Sequence, residues 1–313
     1  MELIDDEGNL FGVVNVVDAL VVLLVLAVVA AGAALVLQPE PEGPDLATTN
    51  VTLDLGAQPT YIVSEINAGD THSAGQNSQL TLTDVYLTPQ GDRTRVVVRA
   101  EVQGLAEGGV TYADAPLRLG RSLTVATNRY QVSGQIRDVG RDDTLAREST
   151  TVVIRDRLAA ADAREVAPGD EIRLAGRTVA TVEDVAAYAT GNPTQRDVFV
   201  EATLETYRSQ GERRFGGSPL RRGQTVTLAE GDYTLNGRVE RVGSGLERDS
   251  ADVVIEDVVD AETAQRLAEG DTATVAGYDT AEVASVTAYA TRNPDRVRVV
   301  VGLSLRTLAY GER

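Results

Sequence analysis

The chain has no cysteine, which excludes disulfides, thiolate nucleophiles and thiolate metal sites together. It has one histidine, so neither an imidazole metal cluster nor a His-dependent triad can be assembled within one chain. That residue, His72, lies in the polar stretch "NAGDTHSAGQN" and reads as an ordinary loop residue. Tryptophan is absent, and lysine is absent too: all 29 basic residues are arginine. Against them stand 47 Asp and Glu, a formal charge of −18. Phosphate binding needs a basic face, so nucleic acid is disfavoured and not expected as a partner. In concentrated salt the screening length falls to about 3 Å at 1 M, which removes the self-repulsion of such a surface. In composition the chain looks like a protein of a halophilic archaeon.

Polar side chains are missing altogether from Ala19 to Leu37. Starting at Val16, such a helix is about 33 Å long at 1.5 Å per residue, enough to cross a hydrocarbon core of about 30 Å. The run is too long for a removable signal peptide, no basic segment precedes it, and "QPEPEGPDL" follows where a cleavage site would lie. A retained single-pass anchor is expected. In "VNVVDA" Asn15 takes the cap position and Asp18 the third helical position, where a carboxylate faces the positive end of the helix dipole and stays at the wet interface. The same pair, on one helical face, is also a candidate docking site for an intramembrane partner.

The residues around the cap carry a resemblance. "IDDEGNLFGVVNVVD" presents Ile4, Asp5, Gly8, Leu10, Phe11, Gly12, Asn15 and Asp18 in the I-D-x-x-G-x-L-F-G-x-x-N-x-x-D pattern before a single membrane helix. In this it resembles the domain of unknown function 4330 family. The resemblance implies a membrane-anchored globular region and no assigned activity.

Neither flank of the helix carries a nearby basic residue to orient it. A short tail before a retained anchor and a large domain after it places the tail in the cytoplasm and the C-terminal domain outside. Asn50, in the sequon Asn50-Val51-Thr52, is a possible glycosylation site on that side. Ala27 with Ala31 and Ala30 with Ala34 are spaced for a close helix contact, although alanine is common in membrane helices. "QPEPEGPD" reads as a stiff acidic spacer.

Beyond the spacer the chain repeats itself. Residues 152–200 align without gaps to 253–301 at an offset of 101, with 22 of 49 positions identical. A fainter copy precedes them. A second element, "PLRLGRSLTVATNRYQVSGQIRDVG" at 116–140, recurs as "PLRRGQTVTLAEGDYTLNGRVERVG" at 219–243. With these elements called X and Y, the order is anchor, X, Y, X, Y, X, as if each Y needs an X on both sides. The parse is a tail (1–15), a transmembrane helix (16–37), an acidic Pro-rich linker (38–50), X1 (51–110), Y1 (111–150), X2 (151–210), Y2 (211–250) and X3 (251–313). The strands are short and β-branched, and "DAETAQRLAEG" predicts a brief helix closing on Gly270. The expected fold is mainly β: one N-terminal transmembrane helix, then repeated small β-barrel or sandwich units with short helical turns.

The X copies keep apolar strand positions, Tyr188 and Tyr289, and a Gly-Asp pair at Gly69 and Asp70, Gly169 and Asp170, and Gly270 and Asp271. The aspartates read as closing their own turns, and the tyrosines as core or rim residues. No catalytic residue, cofactor site or metal site is assigned. The leading role is that of a structural or interaction protein of the cell envelope, partnered by the bilayer and by a second copy or another envelope protein. The alternative is lipid or apolar-ligand handling by a barrel similar in outline to mammalian-cell-entry-type lipid-transfer proteins. That role needs an apolar channel, and "RFGGSPL" at 214–220 is its thin support. A hydrolase using Asp170 and Asp271 is a third reading.

Overall fold

A computed structural model describes residues 9–10, 14–36, 43–91, 93–106, 108–140, 145–209 and 211–309. The chain divides into two compact parts, Met1–Asp45 and Leu46–Arg313. In the first, β1 (Asn9–Leu10) pairs antiparallel with β2 (Val14–Asn15), and α1 (Val16–Val36) follows directly. Asn15 therefore stands immediately before the first helical residue and Asp18 at the third. The side chains of both, and all of Leu37, lie outside the described residues. Leu and Ala sustain α1 through high helix propensity, and its large aliphatic side chains are exposed, Leu23 at 68%. Among the described residues no helix is long and apolar enough to cross a membrane. Side chains of α1 are described for Val17 and for 20–33 alone, a continuous stretch of about 21 Å.

The second part is built from three units whose first strands start 101 residues apart, at Leu46, Arg147 and Arg248. The first unit comprises β3 (Leu46–Gln58), α2 (Thr60–Val63), β4 (Thr71–Ser73), β5 (Gln79–Gln90), β6 (Arg93–Ala106), β7 (Val110–Tyr112), β8 (Ala115–Pro116), β9 (Ser122–Ala126) and β10 (Gln131–Val139). The second repeats it with β11 (Arg147–Ala159), α3 (Asp162–Glu165), β12 (Glu171–Leu174), β13 (Arg177–Ala189), β14 (Gln195–Ser209), β15 (Glu212–Phe215), β16 (Ser218–Pro219), β17 (Thr225–Glu230) and β18 (Tyr233–Val242). The third has β19 (Arg248–Asp260), α4 (Ala261–Arg266), β20 (Thr272–Val275), β21 (Tyr278–Ala290) and β22 (Arg296–Leu308).

Sheet order is β4-β5-β6-β3-β10-β9 in the first unit and β12-β13-β14-β11-β18-β17 in the second, all antiparallel. The X and Y segments are thus not separate barrels. Each Y hairpin joins the sheet of the X before it, because β10 and β18 take up the backbone edge that β3 and β11 would otherwise leave open. Each six-strand path then curls until its outer strands meet. His72 is part of this closure: it lies on β4, not in a loop, and its Nδ1 donates to the Ala126 carbonyl on β9 at 3.1 Å.

Two other boundaries differ from the sequence reading. Strand β3 begins at Leu46, inside the segment read as linker, because Thr48, Thr49 and Asn50 already pair with β6. Helix α4 is capped by Asp260, whose side chain accepts from the Thr263 amide at 2.7 Å, but it ends at Arg266, short of Gly270.

The barrel interiors are filled by alternating aliphatic side chains, among them Leu53, Leu80, Leu82 and Ile136 in the first unit and Ile154, Ile172, Leu204 and Leu235 in the second, all fully buried. The Gly216–Gly217 turn in "RFGGSPL" joins β15 to β16, and Phe215 is buried in the same core rather than presented on an open loop. That core continues from unit to unit: Val275, Ala276 and Tyr278 of the third pack against it.

A recurring arginine joint links consecutive units. Arg147, the first residue of β11, reaches Asp84 and the Val85 carbonyl, the latter at 2.8 Å. Arg248, the first residue of β19, reaches Asp184 at 2.6 Å and the Val185 carbonyl at 3.0 Å. Both aspartates sit at β-bulges, where the extra residue re-aims a side chain. Leu46 occupies the arginine position in the first unit, and Ser285 the aspartate position in the third. The joint is therefore written for two junctions and not carried further. Replacing Arg248 with Ala should cost about 1 kcal/mol of stability, a modest value because both partners are partly solvated. Hydrogen exchange of β19–β22 should rise in the variant while that of the first unit stays unchanged.

Candidate docking surface on the third unit

The three Gly-Asp pairs occupy the same turn in the three X segments. Gly69, Gly169 and Gly270 have φ near +90°, where a side chain is strained, and their amides donate to Leu82, Val182 and Val283. The carboxylates accept from a backbone amide three residues earlier: Asn67 to Asp70 at 2.9 Å, Ala167 to Asp170 at 2.9 Å and Ala268 to Asp271 at 2.8 Å.

In the first two units the same carboxylates do a second thing. The hydroxyl of Tyr130, at the start of the Y hairpin's return strand, donates to Asp70 at 2.5 Å, and Tyr233 donates to Asp170 at 2.9 Å. The sheet is thereby latched shut, turn to hairpin. Burial, and after it the hydrogen bond to Asp170, hold the Tyr233 hydroxyl well above its ordinary pKa of 10.0. Burial and the bond to Asp70 do the same for Tyr130. Four residues beyond each tyrosine, Gly134 and Gly237 cross the first strand of the unit. A Cβ at Gly237 would lie 2.4 Å from Ile154 Cγ2 and 2.8 Å from the Arg155 carbonyl, and one at Gly134 would lie 2.5 Å from Leu55 Cδ2. Glycine is required there by close approach. The amide of Asn236, just before Gly237, also donates to Asp156 Oδ2 at 2.7 Å.

The third unit has the receiving half of this joint and, among the described residues, no hairpin on it. Its sheet order is β19-β22-β21-β20, so one edge of β19 is unpaired. Ile154 is 0% exposed under β18, and its counterpart Ile255 is 49% exposed. Val153, under the joint with the third unit, is 3% exposed, and its counterpart Val254 is 74%. Asp257 Oδ1 accepts from its neighbour's amide at 2.7 Å, as Asp156 Oδ1 does, but no described amide reaches its second oxygen. Asp271 is exposed and has no tyrosine. Tyr188 packs edge-on against Phe199, with ring centroids 5.9 Å apart, whereas Tyr289 is 44% exposed and stacks with the Arg298 guanidinium.

Residues 1–94 match the family described as a domain of unknown function, DUF4330. No curated protein and no solved structure matches the chain. The DUF4330 match takes in α1 and the first strands of the first unit, ending just inside β6. The second and third units, and with them the open edge, lie beyond the DUF4330 match.

The remaining expected positions are scattered. Asn50 is a half-buried residue in the middle of β3, opposite Glu101, and not in a loop. The three turn aspartates belong to different units, each tied to its own turn. A polar recess between the first and second units, about 330 Å³, gathers Asp54, Arg95, Arg137, Tyr207 and Arg214. Arg95 and Arg137 both hold Asp54, at 2.5 and 3.3 Å. No short motif announces it, because its residues come from five strands in two units.

Two outcomes follow for the latch. Gly237→Ala should cost about 1–3 kcal/mol in urea unfolding, because a methyl group has no room between β18 and β11. The fold favours the neutral phenol of Tyr233, so this part of the stability is full below pH 10.0 and is lost as pH rises beyond it. Tyr233→Phe should flatten the alkaline fall measured by unfolding at pH 9 to 11.

Proposed function

We propose that the chain is a single-pass protein of the cell envelope of a salt-adapted cell. Its anchor is α1, and its repeated β units, outside the membrane, bind another envelope component through the open third unit. The observation that carries the reading is α1. Its backbone, Val16–Val36, measures about 31 Å at 1.5 Å per residue, close to the hydrocarbon thickness of about 30 Å. Leu20, Leu23, Leu24, Leu26, Val28 and Val29 are all more than half exposed on it. Water is a poor solvent for such a helix and lipid a good one.

An interaction role is supported by the third unit, where an exposed sheet edge and exposed aliphatic side chains coincide. Lipid handling would need an apolar channel, and aliphatic side chains occupy the interiors of the first two units, so the interaction role is preferred.

Fractionation of cells expressing the full chain tests the anchor. The intact protein should pellet with membranes and resist extraction by alkaline carbonate. Recovery of the full-length chain in the soluble pool would overturn the reading. Leu23→Arg together with Leu26→Arg should shift the chain toward the soluble fraction, since each arginine near the bilayer centre costs at least about 2.5 kcal/mol.

A further inference from the structure

We infer that the open edge of β19 is a receptor for a β-hairpin of another polypeptide, one bearing the pattern Tyr-x-Φ-x-Gly-Arg-Φ, where Φ is aliphatic. This rests on the interaction role proposed above and names the partner's chemistry. The chain holds two seated hairpins of this kind, the second with the full pattern and the first with Gln135 in place of the arginine. Tyr130-Gln-Val132-Ser-Gly134-Gln-Ile136 sits on β3, and Tyr233-Thr-Leu235-Asn-Gly237-Arg-Val239 sits on β11. In each, the tyrosine reaches the turn aspartate, the aliphatic side chains enter the core, and the glycine crosses the first strand.

Strand β19 repeats the receiving positions of β11 at an offset of 101: Val253 for Val152, Ile255 for Ile154 and Asp257 for Asp156. Asp271 stands ready for the tyrosine, and the second oxygen of Asp257 for the incoming amide that Asn236 supplies to Asp156. Charge selects within the pattern. In the second unit Arg155 faces Arg238 across the ladder; on β19 that position is Glu256, so an arginine following the hairpin glycine meets an opposite charge. Glu256 reaches Arg298 only at 3.5 Å and remains largely exposed.

Both hairpins among the described residues are seated on their own units, so neither is free to cover β19. Exchange between copies leaves one edge open for every edge it covers. Direct pairing of two β19 edges would set Asp252, Glu256 and Asp257 of one copy against the same acids of the other. Strand addition supplies affinity through the backbone, and the alternating side chains supply specificity.

The test uses the full chain in detergent micelles at high salt, with a fluorescent peptide of residues 219–243 as the probe. The expected result is saturable binding of one peptide per chain, with new hydrogen-exchange protection at 253–256 and none lost at 152–155. A peptide with Gly237→Val should bind at least about tenfold more weakly, as should wild-type peptide to the Asp257→Asn, Asp271→Asn chain. That double variant changes exposed side chains only and keeps their size, and its exchange pattern elsewhere checks that it folds. Absence of saturable binding, or binding indifferent to these substitutions, overturns the proposal. So does a dimer of the peptide-free chain that protects 253–256. The peptide assay does not depend on the bilayer, so its failure leaves the anchor standing, and soluble recovery of the chain leaves the receptor standing.

Discussion

A β-strand has two edges, and every backbone N–H and C=O on each must find a partner in sheet, side chain or water. The repeated body of this protein is organised by that constraint acting on three long strands, β3, β11 and β19. In each, one edge takes a return strand of the same X segment over the full length of the strand. In the first two units the other edge takes a hairpin that reaches the strand only through a short ladder, four pairs in the case of β11 and β18. So short a ladder is reinforced elsewhere: by the tyrosine to aspartate latch, by a glycine that lets the strands close, and by aliphatic side chains buried beneath. Among the described residues the third unit retains the receiving groups without a hairpin, and its core there is Val283, Val299 and Val301 with partly buried neighbours.

The exposure follows from the same arithmetic. Burial of a large aliphatic side chain contributes about 1.5–3 kcal/mol, so the positions of Val253 and Ile255 represent a gain not taken within the described residues. What holds the third unit in place is its contact with the second: the Arg248 joint and Tyr278, whose hydroxyl donates to the Val166 carbonyl at 2.5 Å. Acidity guards the open edge. Strand β19 carries Asp249, Asp252, Glu256, Asp257 and Asp260, charges of the kind that guard natural sheet edges against like edges. A strand so marked repels its own copy and admits a basic one.

Much of the architecture was legible in the sequence because a repeat announces itself. The 101-residue offset, the β-branched strands and the Gly-Asp turns are all local or periodic signals, and the α1 backbone begins where Asn15 marks a cap. The joining of X to Y in one sheet was not legible, since pairing of β10 with β3 links residues more than 80 apart and leaves no local mark. For the same reason His72 read as loop: its partner is 54 residues away. Gly134 and Gly237 recur at the same place in the two hairpin segments, but nothing local to them names the strands they approach. The candidate surface was hidden most deeply. It consists of a strand edge that no described hairpin covers, on a strand whose own sequence looks complete, and the comparison of Ile255 with Ile154 exposes it.

Hydrogen exchange on the full-length protein tests the central claim most directly, by comparing amides 152–155 with their counterparts 253–256. The account predicts strong protection of the β18-facing amides of the former, and exchange at least about tenfold faster for the free-edge amides of the latter. Equal protection of the two stretches in the isolated, monomeric chain would contradict it.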